Sequence, residues 1–210
     1  VDVPQGARAL EIGCGAGAAT RKLAVLPGVS EVTAIDPSEI FLVSARKAMS
    51  DLPNVKFYQG DARSLAFDEG TFDLVLSHTV LCHVPDVEKA VREAFRVLVP
   101  GGQLVVFDGD YATMNVAVND FDPLQCCVDA LIRNYVHDPW FMRHLPKLAE
   151  RCGFTVRKSD GHGYVKLSEP HYLTTAASRG ADQLVSQGTI GPGPAAALNS
   201  QLNRRMKEGQ

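Results

Sequence analysis

Between residues 7 and 108 the chain alternates short apolar runs with amphipathic stretches, and this rhythm limits the possible folds more than any other feature. Five runs, at residues 7–12, 31–35, 55–58, 72–76 and 103–107, are rich in Val, Ile, Leu and Phe. Three of them are almost continuously apolar, as strands buried on both faces are. Helical periodicity fills the gaps. It is clearest in Val87, Ala90, Val91, Ala94, Phe95 and Leu98, which step i, i+3, i+4, i+7, i+8, i+11 along one face. Pro85-Asp86 opens this helix, and Pro100-Gly101-Gly102 is expected to end it. Strands alternating with helices predict an α/β, Rossmann-like, doubly wound domain with a mostly parallel sheet.

After Phe107 the rhythm changes. Asp122-Pro123-Leu124-Gln125 supplies an N-cap, a Pro at N1 and a Gln at N3, which starts a helix running to about Tyr135. Asp138-Pro139 starts another, reaching about Cys152 and closed by Gly153. A hairpin is expected over 154–158 and 164–167, turning at Asp160-Gly161-His162-Gly163. The remainder, 169–210, reads as two helices separated by residues 188–194. Its Arg204-Arg205-Met206-Lys207 run reads as a solvated helix end.

Charge and cysteine usage narrow the partners. Lys+Arg 21 against Asp+Glu 24 gives a net charge of -3, and no basic run exceeds two residues, so nucleic acid is disfavoured as a partner. The five cysteines form no C-x-x-C pair, and Cys126 and Cys127 are adjacent. Neither a disulfide framework nor a metal site is indicated, and a cytoplasmic location is expected. No apolar run approaches the ~18 residues of a membrane span. The first residue is Val1 rather than Met and a strand begins almost at once, so a segment upstream is expected.

The chemistry gathers at the strand ends. Glu11-Ile12-Gly13-Cys14-Gly15-Ala16-Gly17 is a glycine-rich turn between strand and helix, where a ligand can approach the backbone closely. Taken alone, Gly13, Gly15 and Ala18 also fit a dinucleotide fingerprint. Asp36 ends the second strand, placed to accept from two ribose hydroxyls, or to cap the helix that Asp36-Pro37-Ser38-Glu39 begins. One of its oxygens could serve each role. Gly60-Asp61-Ala62 comes after the third strand, where a carboxylate could accept from an adenine amino group and Ala leaves room for a ring. The fourth strand ends Leu76-Ser77-His78, with Leu81-Cys82-His83 just beyond.

In this order and spacing, E-x-G-x-G-x-G, Asp36, Gly60-Asp61-Ala62, Phe72-Asp73-Leu74-Val75 and the Leu98 to Gly102 L-x-P-G-G resemble the class I S-adenosylmethionine-dependent methyltransferases. The resemblance is nearest to the small-molecule branch that includes the ubiquinone/menaquinone-biosynthesis type. It covers residues 7–108 well and the rest poorly. It implies S-adenosyl-L-methionine as cofactor and S-adenosyl-L-homocysteine as product. Glu11, Gly13, Cys14, Gly15 and Gly17 would surround the methionine part, and Asp36, Pro37 and Ser38 the ribose. Gly60, Asp61 and Ala62 would frame the adenine, and Ser77 and His78 would lie near the sulfonium.

A buried Glu11 suits a ligand bearing an ammonium and a sulfonium, and would repel a pyrophosphate. No Tyr has a Lys four residues later, so the pair typical of short-chain dehydrogenases is absent. The expected activity is direct methyl transfer to a small organic molecule. The alternatives are an NAD-dependent Rossmann oxidoreductase and a non-catalytic S-adenosylmethionine-binding protein. His78 could act as a general base or only pack against the cofactor. His83 is read as helix-entry structure that touches substrate. Tyr111, Tyr135, Trp140 and Arg143 are substrate candidates, or simply members of two amphipathic helices.

The expected organisation is a cofactor-binding domain over 1–168, containing a helical lid over 109–152, and a helical segment over 169–210. A monomer or homodimer is expected. The antiparallel strand that closes the resembled fold is expected beyond Gln210 rather than at 164–167.

Overall fold

The computed structural model describes residues 3–165 and 172–208. It divides into two compact units, Val1–Gly109 with Phe141–Arg157, and Asp110–Trp140 with Lys158–Gln210. The first holds the sheet. Strands β1 (Ala7–Ile12), β2 (Val29–Asp36), β3 (Val55–Gln59), β4 (Phe72–His78) and β5 (Leu98–Phe107) lie in the order β3-β2-β1-β4-β5. Every pairing is parallel, as the alternating pattern predicts. Helices α1 (Ala18–Ala24), α2 (Glu39–Ala48) and α3 (Val87–Val97) make the crossovers. Strand order reverses at β1, so the carboxyl ends of β1 and β4 form the crevice where open α/β sheets bind ligands.

β1 is central because all but one of its side chains are buried. Ala9, Val32 and Leu74 pack with Leu23 and Ala24 of α1 on one face of the sheet. On α3 the periodic face buries Ala90, Val91, Ala94 and Val97. Phe95 stays half exposed and meets Phe154 edge-on, with ring centroids 5.0 Å apart. Pro100-Gly101-Gly102 does not end this helix. α3 stops at Val97, Leu98 is already extended (φ -78, ψ 139), and the Pro-Gly-Gly lies inside β5. The register slips there, from Phe72↔Leu98 to Leu74↔Gln103, so the insertion is absorbed as a bulge. Gly102 is required by close approach: a Cβ would stand 2.9 Å from the Val99 carbonyl oxygen.

Helix α5 (Phe141–Arg151) also belongs to the first unit. It starts later than Asp138-Pro139 suggests, because Asp138 accepts from the Trp140 amide at 2.9 Å and forms a turn first. The expected hairpin is absent among the described residues, since 154–165 contain no strand. Phe154 docks on Phe95, and most of residues 155–165 are exposed, leaving no apolar face to drive pairing. Residues 166 and 167 of that hairpin lie outside the described residues.

The second unit is helical: α4 (Pro123–Tyr135), α6 (Tyr172–Ser186) and α7 (Pro192–Glu208). Asp122 caps α4 as expected, accepting from the Leu124 amide at 3.0 Å. Leu124, Cys127, Val128, Ala177, Ala181 and Leu184 share one core with Ala195 and Leu202 of α7. α4 and α6 cross very closely: a Cβ on Gly180 would fall 1.7 Å from the Cys127 carbonyl oxygen. The expected single insertion over 109–152 is therefore divided, with α4 grouped with the C-terminal helices and α5 with the sheet. No described helix is long and apolar enough to cross a membrane.

Arg205 overturns the reading of 204–207 as a solvated end. Its Nη1 lies 2.5 Å from Asp122 Oδ2, with side chains 11% and 0% exposed. Burial pushes the Asp122 carboxyl up, but Arg205 and the Val118 and Leu124 amides hold it below the usual carboxylate range. Removing one partner of a buried pair strands the other charge, at a cost of about 3–5 kcal/mol. Asp122→Ala is therefore expected to destabilise the second unit by that amount in chemical denaturation monitored through Trp140 emission. Asp122→Asn, which keeps the cap, should lose less.

Candidate functional site

The site is built from the carboxyl ends of β1, β2 and β4. β1 leads into Gly13-Cys14-Gly15-Ala16-Gly17, whose Gly13 and Cys14 amides both donate to the Ile35 carbonyl, at 2.8 and 2.9 Å. The loop is thus fastened to β2. Gly13 is required by space, and Gly17 by its backbone, since the Met49 side-chain end that a Cβ would meet there can swing away. A Cβ on Gly13 would lie 2.4 Å from Val80 Cγ2, and one on Gly17 would lie 1.8 Å from Met49 Cε. Gly17 adopts φ 90, a left-handed conformation that favours glycine.

Asp36, 6% exposed, ties the two loops together. Its Oδ2 accepts from the Gly15 amide and its Oδ1 from the Ser38 amide, each at 2.9 Å. Both oxygens accept from the backbone, one more than the expected division between backbone and ribose. Ser38 rather than Asp36 is the N-cap of α2. Each carboxylate oxygen keeps a second lone pair for further donors.

Beneath this loop lies Glu11, 1% exposed on the central strand and paired in register with Ala34 and Leu76. Burial pushes its carboxyl up to about 7; the Thr20 hydroxyl beside it pulls the other way, and the Asp36 charge adds to the rise. Glu11 Oε2, Thr20 Oγ1 and Ser77 Oγ are all buried without a hydrogen-bond partner. Natural interiors seldom leave such groups unsatisfied. Two acids at this edge, one of them orphaned, suit a cationic ligand and oppose a phosphate. The same surroundings push the buried Cys14 thiol up to about 12, chiefly through burial and then through Glu11 and Asp36, which disfavours its thiolate. The residues present therefore fit a ligand that carries an ammonium and a sulfonium.

The remaining candidates of this unit occupy the neighbouring strand ends. Pro37 is exposed beside Asp36, and its carbonyl accepts from Gln59 Nε2 at 2.9 Å. Gly60 donates to the Asp36 carbonyl at 3.2 Å, which aligns the third loop with the first two. Asp61 gives both oxygens to Arg63, the shortest contact being 2.7 Å, and that guanidinium holds its carboxyl down at about 2. Ala62 is buried. Ser77 is fully buried at the end of β4, whereas His78 is exposed and stacks on Phe107, centroids 4.9 Å apart and planes 18° apart. His83 lies exposed in the single turn Leu81–His83.

Two residues of this edge escaped the sequence reading. Asp108 accepts from the Val80 and Cys82 amides at 3.1 and 3.2 Å and from its neighbour Gly109 at 2.8 Å, which fixes the loop after His78. Phe107-Asp108-Gly109 at a strand end was the available signal. Thr79 sits at φ 56, unusual for a β-branched residue, with its hydroxyl 3.3 Å from His78 Nδ1.

The other candidates lie on different elements. Tyr111, Tyr135 and Trp140 belong to the second unit, and Arg143 to α5 of the first. Tyr111 and Trp140 line a common cleft, but Tyr135 does not; its hydroxyl accepts from Gln183 Nε2 at 2.6 Å.

Comparison with known proteins agrees with the geometry. Residues 10–106 match the family described as the methyltransferase domain. The chain is 34% identical over 162 residues to an uncharacterised 37.1 kDa protein in a transposon of Streptomyces fradiae, covering 74% of this chain and 46% of that protein. It is 38% identical over 115 residues to the demethylmenaquinone methyltransferase of Staphylococcus aureus, covering 54% and 48%. Among solved structures, a candidate methyltransferase from Bacillus halodurans superposes with a TM-score of 0.61 at 28% identity, covering 74% of this chain and 66% of that one. Residues 10–106 are thus similar to methyltransferase domains, and the five-stranded parallel sheet with flanking helices is the α/β, Rossmann-like fold of S-adenosylmethionine-dependent methyltransferases. The chain spans about half the length of the curated relatives it matches.

Because burial raises Glu11 above its ordinary value, its protonated form is the one the fold tolerates. Its contribution to stability is complete below about pH 4.5 and is lost as pH rises through about 7, a loss of about 3 kcal/mol in the ligand-free protein. Glu11→Gln is expected to raise the ligand-free melting temperature at pH 8 and to leave it nearly unchanged at pH 4.5. Calorimetric scans at the two pH values measure this directly.

Proposed function

We propose that this protein transfers the methyl group of S-adenosylmethionine to a small organic acceptor by direct displacement. The observation that carries the reading is the buried Glu11 carboxyl, one oxygen of which lacks a hydrogen-bond partner, beneath a glycine loop anchored by Asp36. The cofactor supplies an electrophilic methyl on a sulfonium and leaves as S-adenosylhomocysteine. In this reading Glu11 and the loop of Gly13, Cys14, Gly15 and Gly17 take the amino-acid end. The spare lone pairs of Asp36, with Pro37 and Ser38 beside it, take the ribose hydroxyls. Gly60 and Ala62 leave room for the adenine ring, and Asp61 reaches its amino group only by sharing oxygens with Arg63. That makes Gly60 and Ala62 the stronger part of the adenine assignment.

Ser77 and His78 end β4 next to the same crevice. His78, exposed and held by Phe107 and Thr79, can accept a proton from an acceptor whose nucleophile carries one. An acceptor already anionic needs only alignment and exclusion of water. His83, Tyr111, Tyr135, Trp140 and Arg143 remain the proposed acceptor contacts. The similarity to a demethylmenaquinone methyltransferase makes reduced naphthoquinones the first acceptors to try. A cytoplasmic enzyme acting as monomer or homodimer, with no nucleic-acid substrate, completes the reading.

Purified protein is incubated with S-[methyl-³H]adenosylmethionine and a reduced naphthoquinone panel. Acceptor-dependent label transfer is expected. Thermal stabilisation by NAD but not by S-adenosylhomocysteine would sink the reading. Asp36→Ala should weaken S-adenosylhomocysteine binding by about 1.5–3 kcal/mol in calorimetry. It should also lower ligand-free stability, since two loop amides lose their acceptor.

Binding should depend on pH in a definite direction. A cationic ligand requires the Glu11 anion, so S-adenosylhomocysteine affinity should rise about tenfold from pH 6 to pH 8 as Glu11 ionises. Glu11→Gln should flatten that profile.

A further inference from the structure

We propose that the second unit contains a binding cleft for a hydroxyaryl carboxylate, a planar aromatic acid bearing a phenolic hydroxyl. This deepens the methyl-transfer reading, on which it rests only in taking that ligand to be the acceptor. The cleft holds about 390 Å³, within the range of small-ligand sites, and every residue lining it belongs to this unit.

One wall is a face of α4. Gln125, Asp129, Ile132 and Arg133 stand at i, i+4, i+7 and i+8, so all four point the same way. The turn Tyr111–Thr113 with Met114 and Asn115, together with Pro139-Trp140, completes the lining. The walls are braced rather than loose. The Ala112 amide donates to the Pro139 carbonyl at 3.1 Å. Gln125 is fixed from three sides: its Nε2 donates to the Met114 carbonyl at 3.2 Å and to Asp129 Oδ1 at 2.9 Å, and its Oε1 accepts from the Val116 amide at 3.0 Å.

This arrangement selects a ligand by three chemistries. Tyr111 and Trp140 bring two aromatic side chains and Ile132 an apolar one, a setting for a flat ring. Arg133 brings a planar guanidinium whose fork matches a carboxylate. It forms no ion pair with Asp129 one turn before it, and makes no other hydrogen bond among the described residues. Asp129, with one oxygen taken by Gln125, keeps its other oxygen to accept from a hydroxyl. A neutral hydrocarbon would leave both charges unused. A phosphate or a dicarboxylate would meet the Asp129 charge with no donor to offer it.

Calorimetry tests this on the whole chain without cofactor, using 6-hydroxy-2-naphthoate, 2-naphthoate and 2-naphthol. The hydroxy acid is expected to bind at least tenfold more tightly than 2-naphthol. Arg133→Gln should abolish that preference, and Asp129→Asn should remove the preference for the hydroxy acid over 2-naphthoate. Trp140, the single tryptophan, should change emission as the hydroxy acid binds. Absence of binding, equal affinity for acid and 2-naphthol, or unaltered preference in Arg133→Gln would each overturn the proposal. Because no cofactor is present, a failure of methyl transfer would count against the methyltransferase activity and leave the cleft's ligand preference standing.

Discussion

One carboxylate holds the carboxyl edge of the sheet together. Asp36 accepts from Gly15 on the loop after β1 and from Ser38 at the start of α2, so two loops from adjacent strands share a single anionic anchor. Hydrogen bonds to a charged acceptor contribute roughly 1.5–3 kcal/mol each, and here they also decide geometry. The glycine loop cannot shift without breaking one of them. The anchor carries a cost, because its negative charge lies near a second buried acid, Glu11, and opposes that group's ionisation. The edge is therefore electronegative by construction. A ligand bearing positive charge relieves the repulsion that the anchor creates, so cofactor choice and loop rigidity have a common origin.

Much of this was legible in the sequence because it depends on local chemistry. The apolar runs mark β1 to β5, a glycine-rich turn demands close approach, and Asp122-Pro123 spells out the start of α4. A carboxylate in the middle of an apolar strand announces a polar partner, and Glu11 is buried as that argument requires. The misses share a different character. Arg205 pairs with Asp122 across more than eighty residues, and no periodicity specifies which distant helix a charged end will meet. Asp108 looked like any polar residue after a strand, since its three amide donors come from its own loop and from one nearly thirty residues away. The hairpin failed because turn residues permit a reversal, whereas pairing needs an apolar face that 154–165 lack.

The second unit obeys another rule. Its helices approach through small residues, Ala177, Gly180 and Ala181 of α6 lying against Cys127 and Val128 of α4, so backbone closeness replaces side-chain bulk. Such packing leaves little interior to fill and places larger groups, Gln125, Asp129 and Arg133, on a face of α4 that lines the cleft. The division of α4 from α5 has the same cause. α4 needs a partner with a bare backbone stripe, which α6 provides, while α5 buries Phe141 within the sheet-bearing unit.

Thr79 sets backbone ease against side-chain order at one position. A β-branched residue at φ 56 carries backbone strain on the order of 1–2 kcal/mol, which a glycine or asparagine there would relieve. Its hydroxyl, however, is what stands beside the His78 ring and caps the end of β4 by donating to the His78 carbonyl at 2.7 Å. A population of variants screened only for resistance to heat would drift away from threonine here and arrive at a sturdier protein whose imidazole keeps the Phe107 stack but loses the hydroxyl beside it. Under the proposed proton-accepting role of His78, screening for catalysis would hold the strained residue in place. The two screens would leave different residues at position 79.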